Sequence, residues 1–231
     1  MDSPARQIHK RAEETRENSD FTEALKLTDE ATVAYQSEGD SLGLSEVQSS
    51  RTITLRHLYE NTQDKNYLVI AKYTAQAAVE IAKVSGLKGS LAIPYFNLAK
   101  IQEELDETEQ AVISYQNALD NIVNNPQNEH NRPGVIADFK IHLYTCAYKT
   151  GDKSAREKAE QALTDLMASD EKKYNKDVWV SGAHMKIAAM LQVDDISAAQ
   201  EHLQKARKVI EGNPDLKLRQ KQWEKLSQTF S

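Results

Sequence analysis

Two helical patterns follow each other between Tyr95 and Leu119, where the sequence reads YFNLAKIQEELDETEQAVISYQNAL. On either side of the polar break LDET, apolar residues recur three, four and seven positions apart, which places them on one face of a helix. Asp106 or Thr108 can accept a hydrogen bond from the free amides of the second helix, and Asp106 with Glu109 also fits a capping box, so this helix is expected to begin at the break. Because the connection is so short, the pattern predicts two helices that fold back as an antiparallel hairpin.

The second helix of this hairpin has copies along the chain. Its signature is an alanine, a residue four positions on and an alanine seven positions on, with an aspartate shortly before. The five copies are Ala24-Thr28-Ala31, Ala71-Ala75-Ala78, Ala111-Tyr115-Ala118, Ala155-Ala159-Ala162 and Ala199-Leu203-Ala206. Their first alanines are 47, 40, 44 and 44 residues apart. This near-constant period indicates a repeat protein, because a lone hairpin leaves an apolar stripe exposed that a stacked neighbour buries.

The periodicity predicts an all-α fold, an α-solenoid of about five antiparallel helix hairpins in a single repeat domain over residues 1–231. The expected repeats span 5–38, 44–84, 90–124, 134–168 and 177–212. After the breaker GNPD, an apolar stripe that includes Trp223 and Phe230 predicts a last helix over 214–230. We expect this helix to cap the open end of the stack, as solenoids require. The alternative is a weak homodimer through Trp223 and Phe230 in place of a monomer.

Composition and charge narrow the functional classes. With 39% hydrophobic and 28% charged residues but 8 Gly and 5 Pro, the chain is too apolar for disorder and too poor in turn residues for a many-stranded β fold. A net charge of −6 without a basic stripe argues against a nucleic-acid partner. The single cysteine, Cys146, excludes an internal disulfide and suits a reducing compartment. Neither a signal sequence nor a membrane-length apolar run is present, so we expect a cytoplasmic protein without a membrane partner.

The third copy resembles a tetratricopeptide repeat (TPR). Its matches to the large, small and aromatic positions of that repeat are Tyr95, Leu98 and Ala99 on the first helix and Ala111, Tyr115 and Ala118 on the second. The other copies match the second helix better than the first. At 40 to 47 residues they exceed the usual period of about 34. With Gly39, Asp40 and Gly43 after the first copy, they look like the extended subclass of bacterial regulators and cell-polarity adaptors. The resemblance covers about Ala5 to Gly212.

The resemblance implies a right-handed superhelix whose first helices line a concave groove. In such proteins the groove usually holds an extended or helical segment of another protein, so the implied function is a non-catalytic adaptor or scaffold without a cofactor. The alternative is a peptide-sensing regulator that changes superhelical shape when it binds. Such regulators usually carry an effector domain, and we expect no room for one because the first repeat begins within about ten residues.

The groove positions carried over from the resemblance all lie on predicted first helices. They are His9, Glu13, Arg16, Arg56, His57, Glu60, Phe96, Asn97, Lys100, Glu103, Ile141, His142, Thr145, Tyr148, Met185 and Lys186. Phe96 and Tyr148 are the expected anchors for a partner, because aromatic residues give a large contact area in protein interfaces. The alternative for each residue is that it packs against the next hairpin.

One subclass of these proteins clamps the terminal carboxylate of a peptide, and its pattern is only partly present. Arg56 and Asn97 match two of the clamp positions. Glu60 stands where an asparagine is needed, and Asp138 and His142 stand where two cations are needed. Since acidic side chains repel a carboxylate, we expect the clamp to be absent.

Nothing in the sequence points to catalysis or to a metal site. The tetrad GDKS at Gly151–Ser154 lacks the leading glycine of a phosphate loop and is expected to be an inter-helix turn. Cys146 falls on an inner stripe, as a small core residue does. No metal-binding spacing connects the six histidines, His9, His57, His130, His142, His184 and His202. The long connector 124–134 is either a second contact surface or a tolerated insertion.

Overall fold

The computed structural model of the chain describes residues 2–87, 89–126 and 130–230. In these ranges every regular element is helical and no strand occurs, which confirms the predicted all-α fold. The α-helices are α1 Pro4–Glu17, α2 Phe21–Glu38, α3 Ser41–Thr62, α4 Asn66–Ser85, α5 Ala92–Glu104, α6 Thr108–Val123, α7 Pro133–Lys149, α8 Ala155–Ala168, α9 Lys173–Leu191, α10 Ile196–Glu211 and α11 Lys217–Ser227. A single 3₁₀ turn, Gln228–Phe230, follows α11.

The chain forms two compact units, Met1–Asn128 and Glu129–Ser231. In the first unit, α1 packs against α2, α3 against α4 and α5 against α6, while α3 also packs on α2 and α5 on α4. In the second unit, α7 packs against α8 and α9 against α10, and α9 also lies on both α7 and α8. Consecutive helices therefore pair within each unit, and the pairs stack as the repeat pattern predicts.

The small residues of the repeat signature lie at the centre of this packing. Every alanine of the five triplets is buried, with an exposed fraction of at most 2%. An alanine side chain lets two helix backbones approach closely. In three of the five triplets the middle residue is larger, namely Thr28, Tyr115 or Leu203, and fills the space between the paired helices. Tyr115 shows this arrangement, because its ring is fully buried between α5 and α6.

In the first two repeats the long period comes from long helices, because the connectors between α2 and α3 and between α3 and α4 are short. Between α2 and α3 only Gly39 and Asp40 are non-helical, and Gly39 takes the left-handed conformation at φ 69° that ends α2. Asp40 then caps α3, since its carboxylate accepts the N–H of Gly43 at 2.8 Å. The extra residues of the second repeat lie in α3 and α4, which have 22 and 20 residues.

The aspartates before the second helices do not all act as caps. Asp20 caps α2 and Asp195 caps α10, because the side chain of each accepts a backbone N–H of the first turn. Asp64 stands before α4, whose N-cap is Lys65 without a side-chain hydrogen bond. The predicted capping box at Asp106 is wrong. Asp106 has a φ of 61° and helps to close the end of α5, and α6 begins after Glu107 without a side-chain cap.

The terminal helix α11 packs on α9 and α10, as the capping interpretation expects. The indole N–H of Trp223 donates to the carbonyl oxygen of Leu203 at 2.9 Å. Arg219 Nε donates to the carbonyl oxygen of Val178 at 3.1 Å. Phe230, the other residue of the homodimer alternative, packs against the core of the second unit. Both aromatic residues of that alternative thus have contacts inside their own chain.

Candidate functional site

The structure places the sixteen predicted groove residues in two groups. Seven are buried, namely His9, Phe96, Asn97, Ile141, Thr145, Tyr148 and Met185. Nine are partly buried, namely Glu13, Arg16, Arg56, His57, Glu60, Lys100, Glu103, His142 and Lys186. A partner that docks without rearrangement reaches the second group more easily than the first.

Phe96 is a packing residue, so its expected role as an exposed anchor needs correction. Its ring is 5% exposed and meets Tyr115 edge-on, with 5.6 Å between ring centroids. Lys100 Nζ lies 4.2 Å from the centroid of the Phe96 ring. Because α5 packs against α6 through this side of the helix, the aromatic ring stabilises the hairpin and offers little area to a partner.

Tyr148 is corrected in the same way. Its side chain is 7% exposed, and its hydroxyl donates to Asp194 Oδ2 at 2.8 Å. Lys153 Nζ lies 4.0 Å from the ring centroid and also pairs with Asp194. Tyr148 therefore holds the end of α7 to the turn between α9 and α10, which is the packing alternative that the sequence left open.

His9 is buried in the first unit and stays neutral near pH 7. Its Nδ1 lies 3.3 Å from the hydroxyl oxygen of Tyr35, and Glu13 approaches its Nε2 at 3.8 Å. Burial, reinforced by the nearby positive charges of Arg6 and Arg16, lowers the pKa of His9 to about 4. An uncharged, 2% exposed imidazole is a core contact and does not supply charge to a binding surface.

A charged network joins α3 to α5 in the first unit. Arg56 Nε donates to Glu104 Oε1 at 2.5 Å, and Arg56 Nη2 lies 2.9 Å from Glu60 Oε1 on its own helix. Burial alone lowers the pKa of an arginine, but the carboxylates of Glu104 and Glu60 outweigh it and raise the pKa of Arg56. The guanidinium is therefore always charged and held by two carboxylates. This arrangement fits a carboxylate clamp poorly, because both acidic partners would repel a peptide terminus.

The same seam between α3 and α5 contains buried polar atoms without a hydrogen bond. Asn97 is 6% exposed, and its Nδ2 has no partner within the described part of the chain. Ser49 Oγ is also buried, and it too has no hydrogen-bond partner within the described part of the chain. Ser49 and Asn97 precede Arg56 and Glu104 by seven residues, about two helical turns, so they lie on the corresponding faces of α3 and α5. A buried N–H group left without an acceptor costs about 1–3 kcal/mol, which a bound carbonyl group can restore.

The second unit contributes features that the sequence did not single out. His184 and His202, on paired helices, approach with 3.0 Å between their Nδ1 atoms. Burial lowers the pKa of both, that of His184 to about 4. An open cleft of about 460 Å³ lies between α7 and α8, with Tyr144 flanked by Lys140 and Lys158. Neither feature has a sequence signal, because each joins residues from two helices whose relative rotation the pattern leaves open.

The residues weighed for other chemistry have structural roles. Cys146 is fully buried. In the GDKS turn, the Asp152 carboxylate accepts the backbone N–H of Ser154 at 3.0 Å and its hydroxyl at 2.6 Å, as an inter-helix turn does. Of the connector 124–134, for which a contact surface is one of the two interpretations, residues 127–129 lie outside the described residues.

Within residues 2–87, 89–126 and 130–230, none of the helices is long and apolar enough to cross a membrane. The same ranges hold no group of three or more His, Cys, Asp or Glu side chains arranged for a metal ion.

Comparisons with known proteins identify the fold. No family profile matches the sequence, and no curated protein matches it. Among solved structures, BtubC (BKLC) from P. vanneervenii aligns with a TM-score of 0.63 at 21% identity, over 90% of this chain and 80% of that one. A second structure, from Podosopora anserina, is described as a putative kinesin light chain with TPR-like repeats that are nearly identical to one another. It aligns with this chain with a TM-score of 0.59 at 16% identity. That alignment covers 90% of this chain and 97% of the other.

The chain has a TPR-like repeat fold. A crystal structure of a point variant of the Podosopora anserina repeats agrees, with a TM-score of 0.61 at 16% identity over 91% of this chain and 97% of that one. In a TPR-like repeat the two helices of each pair are called the first and the second helix. The first helices of this chain are α1, α3, α5, α7 and α9. The seam between α3 and α5 is therefore built by two first helices, which is where the groove residues of the first unit were expected.

Proposed function

We propose that the chain is a non-catalytic protein-interaction module, and that a segment of a partner protein binds along the seam between α3 and α5. The observation that carries this proposal is the buried Nδ2 atom of Asn97, which has no hydrogen-bond acceptor among the described residues. Native proteins rarely leave a buried donor unsatisfied, and those that do invite a functional explanation. A carbonyl oxygen of a bound peptide backbone is the acceptor that this N–H group lacks.

The surroundings of Asn97 support the same role. Ser49 offers a second unpaired polar atom on the facing helix, and Arg56 with Glu60 and Glu104 offers partly exposed charges further along both helices. Backbone hydrogen bonds to Asn97 and Ser49 would give affinity for an extended segment. The charged network would then discriminate between side chains, because like charges placed opposite each other are disfavoured.

The resemblance to TPR-like structures supports the choice of partner class. Repeat stacks present an extended surface to other macromolecules. On this basis we place the chain among scaffold or adaptor proteins with a protein or peptide partner, and we keep the expectation of a cytoplasmic, right-handed solenoid without a cofactor. Groove binding is thus proposed with a smaller set of contact residues, in which the partly exposed charges of Arg56, Glu60 and Glu104 meet the partner first. Asn97 is as buried as Phe96 and Tyr148, so its amide becomes accessible only when the seam between α3 and α5 opens on binding.

The test is a binding measurement with a matched pair of variants. Peptides selected by display on the wild-type chain are titrated by fluorescence anisotropy against wild type, Asn97→Ala and Asn117→Ala. Asn117 is a partly buried asparagine on α6, outside the seam. The loss of one hydrogen bond to a buried amide, about 1–2 kcal/mol, predicts roughly ten-fold weaker binding for Asn97→Ala alone. Equal affinity of all three proteins would contradict the proposed site.

Small-angle scattering of the same complexes separates the scaffold from the peptide sensor. A radius of gyration that stays constant on saturation with peptide supports a passive scaffold. A decrease beyond the contribution of the peptide supports the sensor alternative, in which binding changes the superhelical shape.

A further inference from the structure

The outer face of α4 carries an apolar stripe that the groove proposal does not use. Ile70, Tyr73 and Val84 are 47%, 67% and 82% exposed, and Ala77 between them is exposed as well. Val69 beside the stripe is 45% exposed. These residues lie on one side of a single 20-residue helix, so they form a continuous patch rather than scattered surface residues.

The repeats themselves provide an internal comparison for this stripe. In the triplet alignment, the positions of Ile70, Tyr73, Ala77 and Val84 correspond in α2 to Glu23, Lys26, Glu30 and Ser37. In α8, the position of Tyr73 corresponds to Glu157, and in α10 to Glu201. Each sister helix carries polar residues at most of these positions, although α6 has Ile113 at the position of Tyr73 and α2 has Val33 at the position of Glu80. Stacking of the repeats therefore does not require a continuous apolar stripe. The apolar stripe on α4 is therefore not explained by stacking of the repeats within the chain.

The spacing of the stripe is that of a helix that packs against another helix. Residues 70, 73, 77, 80 and 84 follow each other at alternating steps of three and four, which is the heptad pattern of a coiled-coil seam. The one charged residue of the stripe is Glu80, whose carboxylate accepts a hydrogen bond from Lys83 Nζ at 2.7 Å on the same helix. The stripe thus combines four apolar positions with one carboxylate whose charge is balanced locally.

We propose that this stripe packs against α4 of a second copy of the chain, antiparallel and about a two-fold axis. In this arrangement Tyr73 lies opposite Val84 of the partner copy, so a large residue meets a smaller one, and Ala77 lies opposite Glu80 of the partner copy. A parallel pair would place Tyr73 against Tyr73 and Glu80 against Glu80, which is crowded and brings like charges together. A two-fold contact uses the same patch on both copies and closes without further growth.

The length of the stripe sets the strength of the expected dimer. A helix of 20 residues is about 30 Å long. One helix pair of that length buries less than the roughly 800 Å² per partner of a standard interface. We therefore expect a weak, reversible dimer that forms in the micromolar range or above, and that leaves the seam between α3 and α5 accessible because α4 contributes its opposite side to the core.

Sedimentation velocity of the full chain from about 5 to 500 µM tests the proposal, since this range brackets a weak association. Wild type is compared with Tyr73→Glu and with Val33→Glu as the matched control. Val33 lies on α2 and is 67% exposed, the same fraction as Tyr73. We expect a concentration-dependent dimer for wild type and for Val33→Glu, and a monomer throughout for Tyr73→Glu. A monomeric wild type, or a dimer that Tyr73→Glu leaves intact, overturns the proposal.

A third variant tests the orientation of the two helices. In the antiparallel pair, Ala77→Lys places an ammonium group opposite Glu80 of the partner copy. In a parallel pair, the introduced ammonium group would instead face its own counterpart on the partner copy. We expect dimerisation of this variant to be at least as strong as that of wild type at low salt. A variant that dimerises less than wild type overturns the antiparallel arrangement.

Discussion

Gly43 provides the sharpest test of how the first unit is packed. It lies in the first turn of α3, where its N–H binds Asp40, and the ring of Tyr35 covers it. A Cβ at this position would come 2.2 Å from Tyr35 Cε1 and 2.4 Å from Tyr35 Cδ1, well inside van der Waals contact. It would also come 2.7 Å from Asp40 Oδ2. Tyr35 is 1% exposed and contacts His9, so its ring has no room to withdraw.

The magnitude for Gly43→Ala follows from three contributions. Overpacking against a buried ring costs about 1–3 kcal/mol, and loss of the cap costs about 1 kcal/mol. The greater helix propensity of alanine offsets these losses by about 0.5–1 kcal/mol. We therefore expect the free energy of unfolding to fall by about 2 kcal/mol, where propensity alone predicts a rise.

Urea unfolding followed by circular dichroism at 222 nm measures this change. Gly39→Ala serves as the control, because Gly39 precedes the same helix, has a positive φ of 69° and has open space within 4 Å of the position that a Cβ would take. It should lose about 1 kcal/mol from backbone strain alone. A Gly43→Ala protein as stable as wild type, or more stable, would refute the packing argument.

Two further predictions concern titration and the terminal helix. Burial holds the pKa of His9 and of His184 at about 4, below the ordinary 6.5, so the folded state binds protons less readily than the unfolded state. The free energy of unfolding should therefore be constant above about pH 6.5 and decline as the pH falls towards 4. Below pH 4 the loss should reach about 3 kcal/mol for each of the two histidines. In urea titrations across this range, His9→Gln should remove the part of the decline that His9 causes. Gly182→Ala would bring a Cβ within 3.0 Å of the Arg219 guanidinium and displace it. Hydrogen exchange over α11 should then become several-fold faster while the midpoint of global unfolding barely moves, and unchanged exchange would show that Arg219 does not hold α11.

The repeat architecture was predictable because it rests on small residues at fixed spacing. Ala71, Ala75 and Ala78 are fully buried, as their spacing predicts, since a closely packed helix pair tolerates little else at these positions. The helix ends were less predictable. Asp106 is of a residue type that often caps helices, but here it adopts a left-handed conformation that closes α5. That conformation depends on the geometry of the turn rather than on the residue type.

The rotation of the first helices was the main uncertainty at the candidate site. Successive residues on a helix differ by about 100° in direction, so an alignment error of one residue exchanges a surface position for a core position. Phe96 and Asn97 illustrate this, since Phe96 contacts α6 while Asn97 lies about two turns before Glu104, on the side of α5 that meets α3. The contact between His184 and His202 could not be predicted from the sequence, because 18 residues and an inter-helix turn separate the two histidines.

Hydrogen exchange of the peptide complex tests the central claim most directly. The wild-type chain, with and without a saturating display-selected peptide, is compared with Asn97→Ala under the same conditions. We predict slower exchange in α3 and α5 of the wild type on binding, with little change in α8 or α10, and a loss of this protection in Asn97→Ala. Protection confined to other helices, or the same protection in Asn97→Ala, would contradict a binding site in the seam between α3 and α5.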